Sequence, residues 1–549
     1  MSKHFQPSTP FWPETHRVEN QPLPLSDYAM ARGDRALVDI LRSSGAPMSE
    51  DIASFGDWCG SEAAQQLGHE ANRNKPEFFS HDRRGERIDE VRFHPAYHEL
   101  MSVATRHGLH SKHWQGMPHS HLERAAKYYL MAQVEAGHGC PITMTAAAIP
   151  ALRHNEALFQ RFSAKILHSS YDPTNRPDSD KPSLTVGMAM TEKQGGSDVR
   201  SNSTYAHFEA EDEVGARYLL SGHKYFVSAP MCDLFLVLAQ TEAGPTCFVV
   251  PRWRPDGSKN PLQIQRLKNK MGNVSNASSE TELRGAMGWR LGDEGRGVAT
   301  IIDMVAATRF DCMIGSSAGM RQATAQAIHH CQQRRAFGNT LSQQPLMMGV
   351  LADLALESEA SLAMTMHLAN AFDQGNTSLL RLATAVGKYW ICKRTPNHAY
   401  EAMECIGGSG AMEDHIMPRL FRESPINAIW EGSGNVQCLD VIRALQTHPA
   451  SGEALLNDLM GVSHNPLLER AVDQLTRQVK QGIAIEDARY WVGQMALCMQ
   501  ANALYRWSPS WVGDAFCNAR LGDDAQGWVY GTLPNNVDRE ALIARASPT

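Results

Sequence analysis

The sequence predicts an α+β protein of several domains, with an antiparallel β-domain set between helical regions. Three observations carry that expectation. Helical periodicity dominates from residue 22 to about 173 and returns after 295, whereas residues 183 to about 288 consist of short β-rich runs. These strands come in one block and do not alternate with helices, which argues against a βαβ array. No G-x-G-x-x-G opens a helix, so nothing supports a Rossmann dinucleotide site. The implied divisions are an N-terminal extension and helical domain (1–182), a β-domain (183–294), a helical bundle (295–445) and a C-terminal helical domain (446–549).

In the first division, residues 122–136 and 146–162 read as helices, and no strong strand run interrupts them. His110, His113, His119 and His121 crowd around Trp114. No Cys, Asp or Glu lies at a matching ligand spacing, so a solvated loop is expected there and no metal site. The Pro-rich, charged segment 172–182 reads as a linker or exposed loop. Beyond it, 218–220, 225–227, 234–238 and 247–250 are strand runs separated by Gly, Pro, Asn and Asp, the pattern of an antiparallel sandwich or barrel. Residues 298–335, 344–372 and 378–403 are long helices, whose alanines, leucines and methionines recur at core spacing. The methionines there read as core filler, not as a cofactor box. From 446 onward the pattern is again helical, with Trp507 and Trp511 in a tryptophan-rich stretch.

The 549-residue chain carries a net charge of −7, which gives no global reason to bind nucleic acid or an acidic membrane. No apolar run reaches the ~18 residues needed to span a bilayer. Residues 1–14 lack a basic-then-apolar signal pattern. Eleven scattered cysteines without a C-x-x-C pair argue against a disulfide framework or a zinc site. A cytoplasmic protein with reduced thiols is expected.

The segment from Met188 to Val199, M-A-M-T-E-K-Q-G-G-S-D-V, is the most informative. Its two glycines permit a tight turn and close approach of a ligand to the backbone. Thr191 and Ser197 offer hydroxyls beside free backbone N–H groups. Taken alone, the segment fits a surface turn as well as a ligand cradle.

Downstream segments decide between these. In order, the chain carries Lys224-Tyr225-Phe226-Val227-Ser228, Arg334-Arg335-Ala336-Phe337-Gly338, Ile406-Gly407-Gly408-Ser409-Gly410 followed by Arg419 and Arg422, and Trp430-Glu431-Gly432-Ser433. With M-x-x-T-E-x-x-x-G-S-D at 188–198, this ordered set resembles the acyl-CoA dehydrogenase superfamily over residues 90–445. The resemblance implies that fold's helical domain, antiparallel β-domain and helical bundle, here with a C-terminal helical extension. It implies FAD, held by Met190, Thr191, Gly196, Ser197, Phe226, Ser228, Arg334, Phe337, Gln344, Ile406, Gly407, Gly408, Trp430, Ser433 and Asn435. Thr191 and Ser228 would bond the flavin's polar edge, Phe226 would pack beside a ring face, and Arg334 would reach the pyrophosphate of a neighbouring subunit's cofactor. A solvated cation at a helix end is the alternative for Arg334, and the neighbouring Phe337-Gly338 disfavours it.

The resemblance assigns Glu431 as the base that removes the α-proton of an acyl thioester while the β-hydride passes to flavin N5. Capping a helix that begins near Gly432 is the alternative for Glu431. Arg309 falls where the family places a basic residue near that carboxylate, and would orient it or compensate its charge. An intrahelical pair of Arg309 with Asp311 is geometrically poor, because residues two apart do not face each other. Two departures stand out: Lys193 replaces the family's proline after T-E, and Glu404 stands where Gln is frequent. Both leave pocket shape and substrate length open.

Further segments resemble the branch of the superfamily linked to the response to alkylation damage. They include Asn20 to Leu25, Asp89 to Pro95, Glu135-Ala136-Gly137 leading to Cys140 to Thr145, Ser275 to Ser278, and Asn435 with Cys438 to Arg443. That branch implies a homotetramer built as a dimer of dimers. It also implies association with double-stranded DNA through the C-terminal region, and at most weak dehydrogenase activity on an acyl-CoA-like small molecule. Arg443 is the best single candidate for a phosphate contact. Residues 445–549, however, carry eight Lys/Arg against eleven Asp/Glu, and phosphate neutralisation needs clustered cations. A DNA-associated stress flavoprotein is therefore the first expectation. A working acyl-CoA dehydrogenase, or an acyl-CoA oxidase with no DNA role, is the alternative.

Overall fold

The computed structural model describes residues 15–461, 465–523, 525 and 529–549; residues 1–14, read above for a signal pattern, lie outside these. The chain opens with α1 (Arg35–Ser43), α2 (Glu50–Gly60) and α3 (Glu62–Arg73). Asp34 caps α1 by accepting from Leu37 N at 3.1 Å, and its other oxygen takes Tyr129 Oη and Arg321 Nε. One buried carboxylate thus ties the N-terminal helices to two later elements. A hairpin, β1 (Glu77–His81) and β2 (Arg87–Arg92), follows. It was not visible as a strand run, because its register is interrupted between Phe79 and His81 and much of it is half-exposed.

Next come α4 (Pro95–Arg106), α5 (Ser120–Val134), α6 (Gly139–Leu152) and α7 (Glu156–Ile166). The single helix expected over 146–162 is two helices, because Asn155 caps Leu158 N at 3.1 Å and starts a new one. The histidine-rich stretch is packed, not solvated. His110 and His113 are buried, His113 packs on Trp114 and His121, and His121 stacks on Phe372. Their rings work as core aromatics, and burial holds His110 down at about 4. Segment 172–182 is a strap more than a free linker, since Lys181 is buried against Asp233 at 2.6 Å and Asn175 accepts from Trp253.

The β-domain comprises β3 (Val186–Ala189), β4 (Tyr205–Asp212), β5 (Gly215–Ser228), β6 (Leu234–Thr241), β7 (Gly244–Pro251), β8 (Leu262–Leu267) and β9 (Ser278–Leu291), in the order β3-β5-β4-β6-β7-β9-β8. The sheet is antiparallel except at β6, which runs parallel to β3 from Val186↔Leu234 to Ala189↔Val237 and to β4 at Tyr205↔Gln240. Additional β5–β9 pairing folds the sheet over a core that includes Leu220, Val237, Phe248 and Ala286.

Three long helices form the bundle: α8 (Gly297–Gln333), α9 (Pro345–Asp373) and α10 (Thr377–Ile406), with the short hairpin β10 (Arg335–Ala336) and β11 (Asn339–Thr340) between the first two. Then come α11 (Met417–Glu423), α12 (Ile426–Ile429), α13 (Gly434–Thr447), α14 (Pro449–Met460), α15 (Pro466–Gln481), α16 (Ala488–Trp507), α17 (Ser510–Arg520) and α18 (Arg539–Ala546). The C-terminal helices share one apolar core with the bundle and with α1 to α5. Arg520 is buried against Asp353 and Glu357, and Arg545 against Glu359 (2.8 Å) and Asp39 (2.7 Å). All eleven cysteines are buried and unpaired. Among the described residues no helix is long and apolar enough to cross a membrane.

Candidate active site

The turn after β3 is built by a buried ion pair. Lys224 Nζ meets Glu192 Oε1 at 2.7 Å with both side chains fully buried, and donates also to Leu238 O at 2.6 Å. Glu192 takes further donors from Ser203 N and Thr204 N. Burial would push its carboxyl up, but Lys224 and these donors outweigh that and hold it at about 2. Gly195 and Gly196 have no left-handed backbone. A Cβ on Gly195 would lie 2.5 Å from Ser201 Oγ, and one on Gly196 3.1 Å from Thr191 Cγ2, so close packing of the turn requires them. The β3–β5 register, Met188↔Ser228, with Tyr225 N donating to Thr191 O at 2.8 Å, then brings the two segments expected at the flavin side by side. Met190, Thr191 and Ser228 are half-buried, Gly196 and Ser197 exposed, and Phe226 is 43% exposed.

Ser228 opens onto a cavity with about 680 Å³ of empty space, part of it open to solvent. The cavity runs between the β-domain and the bundle and is lined also by Glu135, His138, Thr308, Cys312, Trp430 and Glu431. Glu431 sits in the loop between α12 and α13 at φ +56°, in the left-handed region that a non-glycine residue adopts only when held there. The holding groups are explicit. Lys388, buried on α10, donates from Nζ to Trp430 O at 2.8 Å and to Gly432 O. Gln437 Nε2 donates to Glu431 O at 3.0 Å and Gly432 O at 2.9 Å. Arg309 Nε donates to Glu431 O at 3.2 Å.

The Glu431 carboxylate accepts from Thr308 Oγ1 at 2.9 Å. Burial raises its carboxyl above the usual range, opposed by the Thr308 hydrogen bond and by the charges of Lys388 and Arg309. Such a group is a stronger base than a solvated carboxylate. It caps no helix: Ser433 holds the N-cap position of α13, without a side-chain cap bond. Arg309 hydrogen-bonds the main chain and reaches the carboxylate only through its charge, while its guanidinium pairs with Asp440 at 2.7 Å, which Arg381 also holds. Asp311 pairs instead with Arg124. The roles of Thr308, Lys388 and Lys224 were missed in the sequence. Lys224 lies within a segment already singled out and Thr308 beside Arg309, whereas Lys388 reaches the loop from a distant helix.

The remaining expected residues gather elsewhere. Arg334 ends α8, and Phe337, at φ +51° and 96% exposed, lies in the following hairpin. Gln344 Nε2 donates to Ala336 O at 3.0 Å. Cys331 Sγ approaches Cys405 O at 3.5 Å, so this end of α8 abuts Ile406, Gly407 and Gly408 at the end of α10. Gly407 and Gly408 face open space where a Cβ would stand. Arg334 donates to Asn20 O, and Asn20 also pairs with the main chain of Arg335. From Thr308 to Arg334 is most of α8, roughly 39 Å at ~1.5 Å rise per residue. The expected residues of one chain therefore fall into two groups set apart along α8. Ser433 and Asn435 are exposed beyond the first, with Asn435 Oδ1 near Arg489 at 3.5 Å. Arg443 is exposed on α13 with no ion-pair partner among the described residues.

Residues 20–173 match the family model of the N-terminal domain of the adaptive response protein AidB, residues 187–286 that of the acyl-CoA dehydrogenase middle domain, and residues 295–446 that of the acyl-CoA dehydrogenase C-terminal domain. Over 539 residues the chain is 43% identical to AidB of Escherichia coli (strain K12), covering 96% of this chain and 98% of that one. It is 32% identical over 433 residues to acyl-CoA dehydrogenase family member 11 of Caenorhabditis elegans, covering 75% and 69%. The structure of Caenorhabditis elegans ACDH-11 in complex with C11-CoA aligns with a TM-score of 0.82 at 24% identity, covering 94% of this chain and 95% of that chain.

Proposed function

Because the chain belongs to the acyl-CoA dehydrogenase family, in its AidB branch, we propose that it is an FAD-dependent oxidoreductase that desaturates an acyl thioester, with Glu431 as the base. The observation that carries this reading is the half-buried carboxylate of Glu431, on a strained backbone, in a cavity that Ser228 also lines, with the Thr191 segment paired beside Ser228. The residues present suit FAD. Ser228 lines the cavity, Phe226 is 43% exposed, and the open Gly407–Gly408 backbone leaves room for a ligand to approach. Met190, Thr191, Gly196, Ser197, Phe226, Ser228 and Trp430 would hold the flavin half. Arg334, Phe337, Gln344, Ile406, Gly407 and Gly408 would hold the remainder from a second copy of the chain.

FAD, when bound, supplies the acceptor for the hydride leaving the β-carbon. Glu431 takes the proton from the α-carbon onto its carboxylate. Thr308 keeps Oε2 aimed into the cavity, while Lys388, Gln437 and Arg309 hold the main chain on either side. Substrate in the cavity displaces water from the carboxylate and strengthens it further as a base. The separation of the two groups along α8 supports an assembly of several copies, with a dimer of dimers as the expected form.

Association with duplex DNA and a part in the alkylation-damage response, with only weak turnover, take second place. The supporting feature is Arg443, exposed and unpaired among the described residues. Of the cations that could join it, Arg506 is committed to Asp458, while Arg477 and Lys480 are exposed on α15. Anaerobic mixing of flavin-loaded protein with acyl-CoAs of graded length, followed by flavin absorbance, tests the first reading. Bleaching by one chain length, lost in Glu431→Gln, is expected; peroxide release in air would assign an oxidase. Absence of bleaching by the whole series would overturn the reading.

A further inference from the structure

The turn between α5 and α6, Glu135-Ala136-Gly137-His138-Gly139, belongs to none of the machinery above, yet it walls the same cavity. Glu135 is fully buried and surrounded by donors. Oε1 accepts from Asn72 Nδ2 (2.7 Å), Gly137 N (2.8 Å) and Ser275 Oγ (2.8 Å), and Oε2 accepts from His138 N at 2.9 Å and meets His138 Nδ1 at 2.8 Å. Burial alone would push this carboxyl up, but His138 and the other donors prevail and hold it at about 2. An ionised Glu135 requires the His138 proton on Nδ1. Nε2 is then the free ring nitrogen, and none of the described residues hydrogen-bonds it.

The flanking glycines are bound to this arrangement. A Cβ on Gly137 would lie 2.0 Å from Ser275 Oγ and 3.0 Å from Glu135 Oε1, and one on Gly139 would lie 2.6 Å from Tyr128 Oη. Asn273, two residues before Ser275 and held at φ +49°, also lines the cavity with no side-chain partner among the described residues. Other polar groups deeper in the cavity are satisfied: Asp311 by Arg124 and Thr143, Tyr128 by Gly139 O. A plain alkyl chain would desolvate the His138 nitrogen and the Asn273 amide and leave both unpaired, which is costly.

We propose that His138, oriented by Glu135 and joined by Asn273, binds a hydroxyl substituent on the acyl group, the hydroxyl donating to His138 Nε2 and accepting from the Asn273 amide, so that the preferred ligand is a hydroxylated acyl-CoA. This rests on the reading of the cavity as an acyl-thioester site. The test is calorimetric and needs no turnover. Flavin-loaded protein is titrated with unreactive S-alkyl-CoA thioethers of equal length, with and without a hydroxyl on the chain. The wild type is expected to bind a hydroxylated thioether roughly five- to tenfold more tightly, the range of one hydrogen bond. His138→Phe should abolish that preference and His138→Gln should restore part of it. Equal affinity of wild type for plain and hydroxylated ligands would overturn the proposal and leave the acyl-CoA reading standing. Equal weakening of both ligands by His138→Phe would also overturn it, by placing the contact on the CoA moiety. Failure of every thioether to bind would overturn the acyl-CoA reading itself. The comparison on wild type keeps the proposal falsifiable should the variants fail to fold.

Discussion

Lys388→Met separates the positioning of Glu431 from the stability of the bundle. Lys388 is 1% exposed and gives two charge-assisted hydrogen bonds, to the carbonyls on either side of Glu431. Each such bond is worth about 1.5–3 kcal/mol, so their loss removes roughly 3–6 kcal/mol. Methionine, of similar length, also relieves the burial of an ammonium, a penalty of several kcal/mol. The two effects oppose each other, and Gln437 still holds Gly432 O. Global unfolding should therefore move by no more than about 2 kcal/mol. The loop, freed to leave its left-handed conformation, should lose alignment, which costs on the order of 10²-fold in rate. Lys388 also lowers the Glu431 carboxyl, so its removal should raise that pKa further. Stopped-flow flavin reduction across pH, beside urea unfolding, reads both. The expected result is a slower limiting rate and an acidic limb displaced to higher pH, with little change in stability. An unchanged rate and limb, or a large loss of stability alone, would refute the account of the loop.

Further predictions address the base, the cradle and the surface. Glu431→Gln should slow flavin reduction by roughly 10²–10⁴-fold. The folded-state pKa of Glu431 lies above its unfolded value, so its stabilising contribution is complete only at low pH and is lost as pH rises through the raised pKa. Glu431→Gln should accordingly melt higher than wild type at pH 8, the gap closing toward pH 4; a lower melting point at pH 8 would contradict this. Lys224→Met strands buried Glu192 and should cost about 3–5 kcal/mol in urea unfolding, with Lys224→Met/Glu192→Met recovering part of it; a loss below about 1 kcal/mol would count against the ion pair as the staple of the turn. Glu192, held at about 2 against the usual 4.5, contributes stability above pH 4.5 that is lost as pH falls toward 2, and Glu192→Gln should flatten that limb. If the chain binds duplex DNA, Arg443→Ala should reduce the salt slope by about 1; an unchanged slope would remove Arg443 from the interface.

Much of this architecture was legible in the chain. The strand runs at 218–220, 225–227, 234–238 and 247–250 fall within β5, β6 and β7, and the three long helices end within a few residues of their expected limits. Thr191, Ser228, Trp430 and Glu431 were found by motif, and the β3–β5 register and the loop before α13 place the first two together and the last two on the same cavity as Ser228. What escaped depends on partners distant in sequence. His110 and His113 look like a polar stretch, because nothing local tells that His121 of α5 packs on His113 and that Ile142 and Thr145 of α6 lie about His110. Lys388 belongs to a helical run in which its reach to Trp430 and Gly432 leaves no local trace. Thr308 was passed over for Arg309, since a basic residue is the more conspicuous partner for a carboxylate. The parallel pairing of β3 with β6 is likewise set by the position of β3 after the strap, not by its composition.

Proton exchange tests the role of Glu431 most directly. Flavin-loaded protein would be incubated in D₂O with an acyl-CoA analogue whose β-position cannot be oxidised, and deuterium at the α-carbon followed by mass spectrometry. Wild type is predicted to exchange the α-proton, and Glu431→Gln to bind the analogue without exchange. Exchange that persists in Glu431→Gln, or its absence in a wild type that binds the analogue, would contradict the assignment of this carboxylate as the base.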